Sequence, residues 1–284
     1  MSDTAPQARR VVKVTRGMPT QDGAGVKLTR LIGTPEIPDI DPILMLDNFG
    51  SDDPKAYIAG FPAHPHRGFE TVSYMIQGSL KHKDNTGGEG IVTDGGVQWM
   101  TAGRGVVHSE MPAQTAGMMY GFQLWLNLPA KEKMRTPWYA DIPDAEIPNV
   151  TVGEGATAKL IAGSWNSTKG AGPERPTEPF IVDIALKASA AVDVPIPTGH
   201  NAFAFVFEGA AKLGPVAQPR ELVKGDLAVL TDRGALTATA TQDARILIVA
   251  AKPLREPIAK YGPFVMNTQD ELRQAFSDFQ QGRF

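Results

Sequence analysis

The chain has 284 residues, of which 42% are hydrophobic and 21% are charged, a composition typical of a soluble globular protein. Its 28 basic and 31 acidic residues give a net charge of −3, which provides no basic field for direct nucleic-acid binding. Cysteine is absent, which excludes disulfides, iron–sulfur clusters, thiolate zinc sites and thiol nucleophiles. Any bound metal must therefore be held by His, Asp or Glu. The 29 glycines and 23 prolines favour many turns, as in an all-β protein.

At this length the chain can form one large hydrophobic core or two ordinary ones. It contains no stretch of 18 apolar residues, and the N-terminal sequence MSDTAPQARRVVKVTRG lacks the apolar run of a signal peptide. We therefore expect a cytoplasmic protein without membrane association.

Short apolar segments bounded by turn residues run through most of the chain. They are rich in β-branched and aromatic residues, which favours β-strands, and their spacing is typical of a sandwich or barrel. The clearest examples are residues 71–76 (TVSYMI), 120–127 (YGFQLWLN), 202–207 (AFAFVF), 227–230 (LAVL) and 245–250 (RILIVA).

A proline-rich and partly charged stretch, residues 128–150, separates the strands of the two halves. It has no clean hydrophobic period, which is typical of a connecting segment. The pattern predicts an N-terminal domain at residues 1–130, a linker at residues 131–150 and a C-terminal domain at residues 151–284.

The end of the chain changes from strand-like to helical periodicity. Thr268 and Glu271 form a capping-box pattern, and Gly282 is a suitable stop signal. Apolar residues recur between them with i, i+3, i+4, i+7 spacing: Leu272, Ala275, Phe276 and Phe279. The pattern predicts an amphipathic helix at residues 268–281 whose apolar face packs on a β domain.

The two halves contain similar segments at a nearly constant separation. Residues 74–78 (YMIQG) resemble residues 205–209 (FVFEG) at an offset of 131, and the segment starting at Gly95 resembles the one starting at Gly225 at an offset of 130. Both copies read as strand, turn glycine, turn and strand. Two matches at almost the same offset indicate an internal duplication.

Two pairs of polar residues have the spacing of neighbouring metal ligands on a β-strand. His64 and His66 lie at i and i+2, as do His108 and Glu110, and residues with this spacing share one face of a strand. Two adjacent strands could then supply three nitrogens and one oxygen to one ion. Such a set suits a first-row transition metal, with iron(II), manganese, nickel and zinc as candidates.

Three further residues near or outside this set have other expected roles. Glu70 shares the face of His64 and His66 if the strand is regular, so it is an alternative ligand or a hydrogen-bond partner of a ligating imidazole. His82 lies in the charged segment Lys-His-Lys-Asp and is expected to be exposed. His200 stands alone in the second half and is expected to be structural.

Residues 64–78 (HPHRGFETVSYMIQG) and 98–112 (QWMTAGRGVVHSEMP) closely resemble the pirin family of the cupin superfamily. The segment 121–128 (GFQLWLNL) and the closing GPFVMNTQDEL are also similar to pirins, so the resemblance covers essentially the whole chain. It implies an all-β fold in which two cupin barrels (double-stranded β-helices, or jelly rolls) stand in tandem before the C-terminal helix.

The resemblance also implies one divalent transition metal per chain, held in the N-terminal barrel. The metal is usually iron, and manganese, nickel, zinc and copper are the alternatives. The family ligands carry over onto His64, His66, His108 and Glu110. In pirins the glutamate of the first cupin motif is not the usual ligand. The resemblance therefore implies that Glu70 supports a ligating residue and does not bind the metal itself.

The repeat predicts a second domain without a metal. Adding the offsets to the four ligand positions gives Pro195, Pro197, Ala238 and Ala240, none of which carries a side-chain donor atom. The C-terminal barrel is therefore expected to keep the fold and to lack the site.

Pirins are associated with quercetin 2,3-dioxygenase activity, so the resemblance implies an enzyme acting with dioxygen on a flavonol or a similar enolic aromatic compound. Glu110 is the expected catalytic base. The strands also supply apolar residues that could line a substrate pocket: Phe69, Met75, Trp99, Met100, Phe122 and Trp125.

The alternative function is that of a regulator, because other pirins are described as iron-dependent, redox-sensitive partners of transcription factors or metabolic enzymes. The basic residues Lys131, Lys133 and Arg135 could form part of a face that binds such a partner. A third alternative is a storage-like or structural cupin in which the metal only stabilises the barrel.

Overall fold

The computed structural model describes residues 8–284, which form antiparallel β-sheets and a C-terminal α-helix. The strands of the first half are β1 (Val11–Thr15), β2 (Met18–Asp22), β3 (Val26–Ile32), β4 (Ile43–Ser51), β5 (Phe61–His66), β6 (Phe69–Gln77), β7 (Leu80–Asp84), β8 (Glu89–Val92), β9 (Val97–Thr101), β10 (Val106–Pro112), β11 (Met119–Asn127) and β12 (Trp138–Ile142). The strands of the second half are β13 (Asn149–Gly153), β14 (Ala156–Ala162), β15 (Ser164–Trp165), β16 (Thr168–Lys169), β17 (Phe180–Leu186), β18 (Ala191–Val194), β19 (Asn201–Glu208), β20 (Ala210–Leu213), β21 (Arg220–Val223), β22 (Leu227–Leu230), β23 (Leu236–Ala240), β24 (Ala244–Ala251), β25 (Ala259–Tyr261) and β26 (Phe264–Met266). The helix α1 spans Gln269–Gln280, and short 3₁₀ helices lie at Pro54–Ala56, Ala130–Glu132 and Asp144–Glu146. Within residues 8–284, every helix is too short or too polar to cross a membrane.

Two compact units divide the chain. The first barrel comprises Gly17–Asp144 and Leu254–Phe284. The second barrel comprises Ala145–Pro253 and, from the described N-terminal segment, residues 8–16. The first barrel therefore contains the C-terminal end of the chain, and the second barrel contains the described N-terminal segment.

The units differ from the predicted domain boundaries at both chain ends and at the linker. Strand β1 pairs with β22 and so leaves the domain predicted at residues 1–130. Strand β12 pairs with β9, which places much of the predicted linker (131–150) in the first barrel. The helix α1 packs on β25 and β26, and this whole C-terminal segment, Leu254–Phe284, belongs to the first barrel and not with the rest of the domain predicted at residues 151–284. These differences arise from strand pairing between distant segments, which cannot be predicted from local hydrophobic periodicity.

Each barrel is built from a seven-stranded and a four-stranded sheet. In the first barrel the strand orders are β12-β9-β6-β11-β4-β3-β2 and β5-β10-β7-β8. In the second barrel they are β1-β22-β19-β24-β17-β14-β13 and β18-β23-β20-β21. The two sets match position by position, with β6 and β9 in the places of β19 and β22. This topology confirms the internal duplication and the all-β prediction.

The interiors of the two barrels differ in chemistry. The second barrel encloses one large apolar cluster, to which its strands contribute mainly Ala, Val, Leu and Ile. The first barrel has smaller apolar clusters, one containing Phe49 and Met75 and another containing Phe69. Buried polar side chains share its interior, among them His108 and Glu110. The functional candidates therefore lie in the barrel with the divided core.

The helix α1 has the ends that its sequence predicts. The Thr268 hydroxyl accepts a hydrogen bond from the Glu271 N–H at 3.2 Å, and Glu271 Oε2 accepts one from the Thr268 N–H at 2.9 Å, which completes the capping box. Gly282 follows the helix with a φ of 66°, a left-handed conformation that favours glycine. The predicted C-terminal helix is confirmed.

Apolar packing and a buried ion pair hold α1 on the first barrel. Leu272 is buried with residues of β25 and β26, whereas Phe279, predicted to share that face, is 38% exposed. Asp278 accepts a hydrogen bond at 2.7 Å from Nη1 of Arg67, whose side chain is 3% exposed. The Arg67 guanidinium also lies 4.2 Å from the centroid of the Phe284 ring. The C-terminal segment thus supplies the partners of a buried cation.

We expect Asp278→Asn to lower the free energy of unfolding by about 1.5–3 kcal/mol, because it removes the anion paired with a buried guanidinium. Deleting residues 268–284 should lower it further, because the deletion also exposes the apolar surface under the helix. Calorimetric unfolding measures both losses. Asp270→Asn is the matched control, since Asp270 lies in the first turn of the same helix and is exposed. Equal losses at the two positions would contradict a special role of the Arg67–Asp278 pair.

A lysine from the predicted linker is also buried in the first barrel. Lys133 donates hydrogen bonds to the Gly68 and Val265 carbonyl oxygens at 2.8 and 2.9 Å and to Asn127 Oδ1 at 2.6 Å. Burial lowers the pKa of Lys133 to about 8. Gly68 has a φ of 89°, and a Cβ there would lie 2.0 Å from the Val265 oxygen, so this crossing of segments requires glycine. One ammonium group joins the turn after β5, the end of β11 and β26.

The burial of Lys133 changes the expected basic face. Lys131 and Arg135 are exposed, but Lys133 between them points into the barrel and is 1% exposed. The three residues therefore do not form one cationic surface, and the interpretation of Lys133 as part of a binding face is wrong.

We expect Lys133→Met to lower the free energy of unfolding by about 2–4 kcal/mol, because three buried oxygens lose their donor while the volume stays similar. Lys131→Met is the control, since it removes the same charge from an exposed position two residues away. Urea unfolding of both variants provides the measurement. A Lys133→Met protein as stable as the Lys131→Met protein would show that these hydrogen bonds contribute little.

Candidate metal centre

Strands β5 and β10 bring together the two pairs of residues with ligand spacing. They are antiparallel neighbours, with His64 opposite His108 and Val106 opposite His66. Because alternate residues share a strand face, both pairs point to the same side of the four-stranded sheet, into the first barrel.

The three histidines form a compact group. Their ligand atoms all lie within 4.8 Å of one another, and Nε2 of His64 is 3.0 Å from Nε2 of His66. The ring centroid of His108 lies 4.4 Å from that of His64 and 5.1 Å from that of His66. His66 and His108 are buried, while His64 is half-buried.

The hydrogen bonding of these imidazoles fits a metal site. The Pro62 carbonyl oxygen lies 2.8 Å from Nδ1 of His64, so that nitrogen is the donor and Nε2 keeps its lone pair. Nε2 of His108 is buried without a hydrogen-bond partner in the protein. A buried nitrogen without a partner is costly unless an ion or another ligand meets it. The three histidines could therefore hold one metal ion.

Burial also keeps the imidazoles of His66 and His108 neutral. It lowers the pKa of His66 well below the usual range, and the neighbouring His108 and His64 lower it further. Burial, followed by the effect of His64, lowers the pKa of His108 to about 3. Neutral imidazole is the form that binds a metal.

Glu110 is held beside the histidines by two polar side chains. Its Oε1 lies 3.1 Å from Ser73 Oγ, and its Oε2 accepts a hydrogen bond from Gln123 Nε2 at 3.0 Å. Oε2 is 4.0 Å from Nε2 of His108, so Glu110 stands next to the compact histidine group. Burial raises the pKa of Glu110, and the nearby His64 partly opposes that shift.

A cavity of about 690 Å³ adjoins the histidines, a volume in the range of small-molecule sites. Its wall includes His64, His66, Glu110 and Trp125. Other apolar side chains on the wall are Leu28, Met45, Phe49 and Phe61. Exposure along the wall rises from 1% at Glu110 to 27% at the Arg30 side chain. His66 and Glu110 therefore lie toward the closed end.

The seven-stranded sheet faces this cavity with a row of polar side chains in register. Successive partners across β12, β9, β6, β11, β4 and β3 are Asp141, Gln98, Ser73, Gln123, Asp47 and Arg30, which we call the polar row. Directly paired residues point to the same face of a sheet. Arg30 binds both carboxylate oxygens of Asp47, at 2.9 and 2.7 Å. The row therefore supplies both the partners of Glu110 and an ion pair on the cavity wall.

The corresponding row of the second barrel is apolar. Across β1, β22, β19, β24, β17 and β14, the residues in register are Val14, Ala228, Ala204, Ile248, Val182 and Leu160. In its four-stranded sheet, Val192 lies opposite Ala238 and Val194 lies opposite Leu236. The counterparts of His64 and His66 are thus Val192 and Val194, not the predicted Pro195 and Pro197, because the separation between the repeats is shorter at this strand.

The expected pocket residues are distributed over several places. Trp125 lines the cavity, and Phe69 packs behind it with a ring-centroid distance of 4.2 Å. Met75 belongs to the apolar cluster of Phe49, and Met100 to another with Val106. Trp99 and Phe122 are buried one residue away from Gln98 and Gln123 of the polar row. Strand alternation turns both away from the cavity, and its lining residues include neither of them nor Phe69, Met75 and Met100.

The expectation for Glu70 is also wrong. The turn at Arg67 and Gly68 separates β5 from β6, so the regular strand assumed for it does not exist. Glu70 lies three residues from Ser73 and therefore on the opposite face of β6. Its Oε1 accepts a hydrogen bond from Thr101 Oγ1 at 2.5 Å.

The remaining histidines have different environments from each other. His82, expected to be exposed, is 4% exposed because it points inward from β7, and its Nε2 lies 2.7 Å from Asp141 Oδ2. It stands opposite Glu110 in the sheet register. His200 is buried in the second barrel, with Nε2 3.0 Å from the Glu178 carbonyl oxygen.

Sequence reasoning missed several residues of the site, although a signal was present. Ser73 and Gln123 are single polar residues in the middle of apolar strands, TVSYMI and YGFQLWLN. A buried polar residue in such a strand needs a partner and so marks a polar interior. Asp47 gives a similar signal after the apolar run ILML, whereas Lys260, which also lines the cavity, gives no comparable local signal.

The fold and site together define a bicupin in which one barrel carries a histidine cluster. Residues 25–126 match the pirin family, and residues 181–284 match the pirin C-terminal cupin domain. The chain belongs to the pirin family.

Relatives and solved structures agree with this assignment. A pirin-like protein of Caulobacter vibrioides is 47% identical over 97% of this chain and 99% of its own length. The crystal structure of quercetin 2,3-dioxygenase from Acinetobacter baumannii is 33% identical, covers 97% of this chain and 98% of its own, and superposes with a TM-score of 0.89. The structure of the Escherichia coli pirin YhhW in complex with nickel(II) is 19% identical, covers 88% of this chain and 99% of its own, and has a TM-score of 0.66, which shows a shared fold.

We expect purified, metal-loaded protein to bind about one equivalent of transition metal per chain, because only the first barrel presents such a donor set among residues 8–284. His66→Ala should lose most of this metal, whereas His200→Ala, which removes an imidazole from the second barrel, should retain it. Elemental analysis by mass spectrometry gives the stoichiometry. Two tightly bound equivalents per chain would contradict a single metal barrel.

Proposed function

We propose that the protein is a metal-dependent dioxygenase that acts on a flavonol such as quercetin or on a similar enolic aromatic compound. The observation that carries the proposal is a cluster of three imidazoles with a buried carboxylate beside it, at a cavity of about 690 Å³. The likeness to a quercetin 2,3-dioxygenase over nearly the full chain supports the same reaction class.

His64, His66 and His108 would hold the metal, with Glu110 as the fourth ligand. Three nitrogens and one carboxylate suit iron(II), which we propose as the native metal, and manganese, nickel, zinc and copper remain candidates for the same donors. When bound, the metal supplies Lewis acidity and the redox chemistry that dioxygen requires.

Glu110 acts as the base toward the enolic hydroxyl. Its carboxylate oxygens can accept the hydroxyl proton, and Ser73 and Gln123 hold the carboxylate in place through their contacts with Oε1 and Oε2. Burial raises the pKa of Glu110, which makes the carboxylate a stronger base than an exposed one.

The apolar wall orients the substrate and excludes water from the reacting end. Trp125 and Phe61 offer ring surfaces on which a planar aromatic compound can pack. Phe69 supports Trp125 from behind and also contacts His66, with a ring-centroid distance of 5.1 Å. Removing water in this way strengthens the hydrogen bonds between the substrate and Glu110.

Oxygen uptake by the iron-loaded protein, measured with a panel of flavonols, tests the proposal. We expect Glu110→Gln to retain much of the metal while turnover falls by roughly 10²–10⁴-fold, because the amide keeps the size and one oxygen but loses the basicity. Glu89→Gln is the matched control, since Glu89 is exposed on β8.

Two results would overturn parts of this proposal. The absence of oxygen uptake with every flavonol, despite a full metal content, would reject the dioxygenase. A Glu110→Gln variant with both full metal and full turnover would reject Glu110 as the base.

A further inference from the structure

Two cationic side chains lie on the wall of the cavity that contains the histidines. Arg30 comes from β3. Lys260 comes from β25, in the β25–β26 hairpin that follows the return of the chain to the first barrel at Leu254. Both are more exposed than His66 and Glu110, so they lie toward the open end. A substrate that fills the cavity would therefore lie against both the histidines and these cations.

The charge of Arg30 is already compensated by carboxylates. Its Nε and Nη2 bind the two Asp47 oxygens, and Nη2 also lies 2.9 Å from Asp22 Oδ2. These hydrogen bonds raise the pKa of Arg30 and keep it charged. Arg30 is therefore a fixed part of the wall.

Lys260 has much weaker partners. Its Nζ donates one long hydrogen bond, of 3.4 Å, to the Leu44 carbonyl oxygen. Partial burial lowers the pKa of Lys260, the charge of Asp39 opposes this shift, and the charge of Arg30 adds to it. Two cations at the same cavity repel each other, and an anion bound beside Lys260 would relieve that repulsion.

The overall charge of the cavity wall also favours an anionic ligand when the metal is bound. Arg30 and Lys260 face three carboxylates on the wall, Asp22, Asp47 and Glu110, which leaves a net charge of −1 when the imidazoles are neutral. A divalent ion at the histidines would change this net charge to +1. A ligand with a single negative charge then neutralises the loaded cavity.

We propose that Lys260 binds an anionic group of the substrate at the open end of the cavity. The preferred substrate is then an enolic aromatic compound with one negative charge, such as a carboxylate, on the part of the molecule remote from the enol. The aromatic class rests on the proposed function, whereas the preference for an anion rests on Lys260 and the charge of the wall.

Binding of two matched ligands tests this assignment without turnover. The ligands are 3-hydroxyflavone with a 4′-carboxylate and the same compound with a 4′-carboxamide, which differ in charge but hardly in size. Quenching of tryptophan fluorescence reports binding, because one of the four indoles, Trp125, lies on the cavity wall. The protein is loaded with zinc(II), and the titration is performed without oxygen.

We expect wild-type protein to bind the carboxylate about three- to tenfold more tightly than the carboxamide, as for a partly desolvated charge pair. Lys260→Met should remove this preference and leave the affinity for the carboxamide within about twofold. Lys260→Arg should restore most of the preference. Lys27→Met is the control, since Lys27 is an exposed residue of β3 that does not line the cavity.

Three results would overturn the assignment. They are equal affinities of the wild type for both ligands, an equal loss of both affinities in Lys260→Met, and no binding of either ligand. The outcome is separate from that of the proposed reaction. A charge preference without oxygen uptake would reject the dioxygenase alone, and oxygen uptake without a charge preference would reject the anion site alone.

Discussion

Burying polar side chains inside a β-barrel is costly unless each one meets a partner, and this constraint organises the first barrel. The polar row on the seven-stranded sheet meets polar residues of the four-stranded sheet at two places. Glu110 contacts Ser73 and Gln123, and His82 lies within hydrogen-bond distance of Asp141. These contacts tie the two sheets together beside the histidine cluster, since Glu110 and His82 are neighbours in the register of the four-stranded sheet. The carboxylate beside the rings is thus held by hydrogen bonds that form only when both sheets are in register, which is the kind of support that a metal site requires.

The second barrel shows the same scaffold without this constraint. Its strands occupy equivalent places, but alanine, valine, leucine and isoleucine stand where the first barrel has its polar row. An apolar interior needs no hydrogen-bond partners and gains stability from packing alone. The first barrel gives up part of that packing for a cavity and a buried donor set. The duplicated fold thus assigns the chemistry to one copy and a continuous hydrophobic core to the other.

The sequence predicted those features whose determinants are local. The His64 and His66 pair, the His108 and Glu110 pair and the capped helix each depend on spacing within a few residues. The structure places the two pairs on neighbouring strands and gives the helix its capping box. The role of His82 could not be predicted in this way, because its neighbours in sequence are charged while its partner, Asp141, lies 59 residues away. The exchange of chain ends between the barrels likewise depends on pairing between distant strands. So does the turn after His66, which ends β5 and separates Glu70 from the strand face of His64 and His66.

That exchange of chain ends has a consequence for the site. Arg67 follows His66 directly, and its side chain is held by Asp278 of α1 and by the ring of Phe284. Its backbone is bound as well, since the Val265 N–H donates to the Arg67 carbonyl oxygen at 3.0 Å. The end of β5 is therefore fixed by residues about 200 to 220 positions later in the chain. A two-histidine strand at the edge of a four-stranded sheet would be free to fray by itself, and the C-terminal segment removes that freedom where His66 must stay in place.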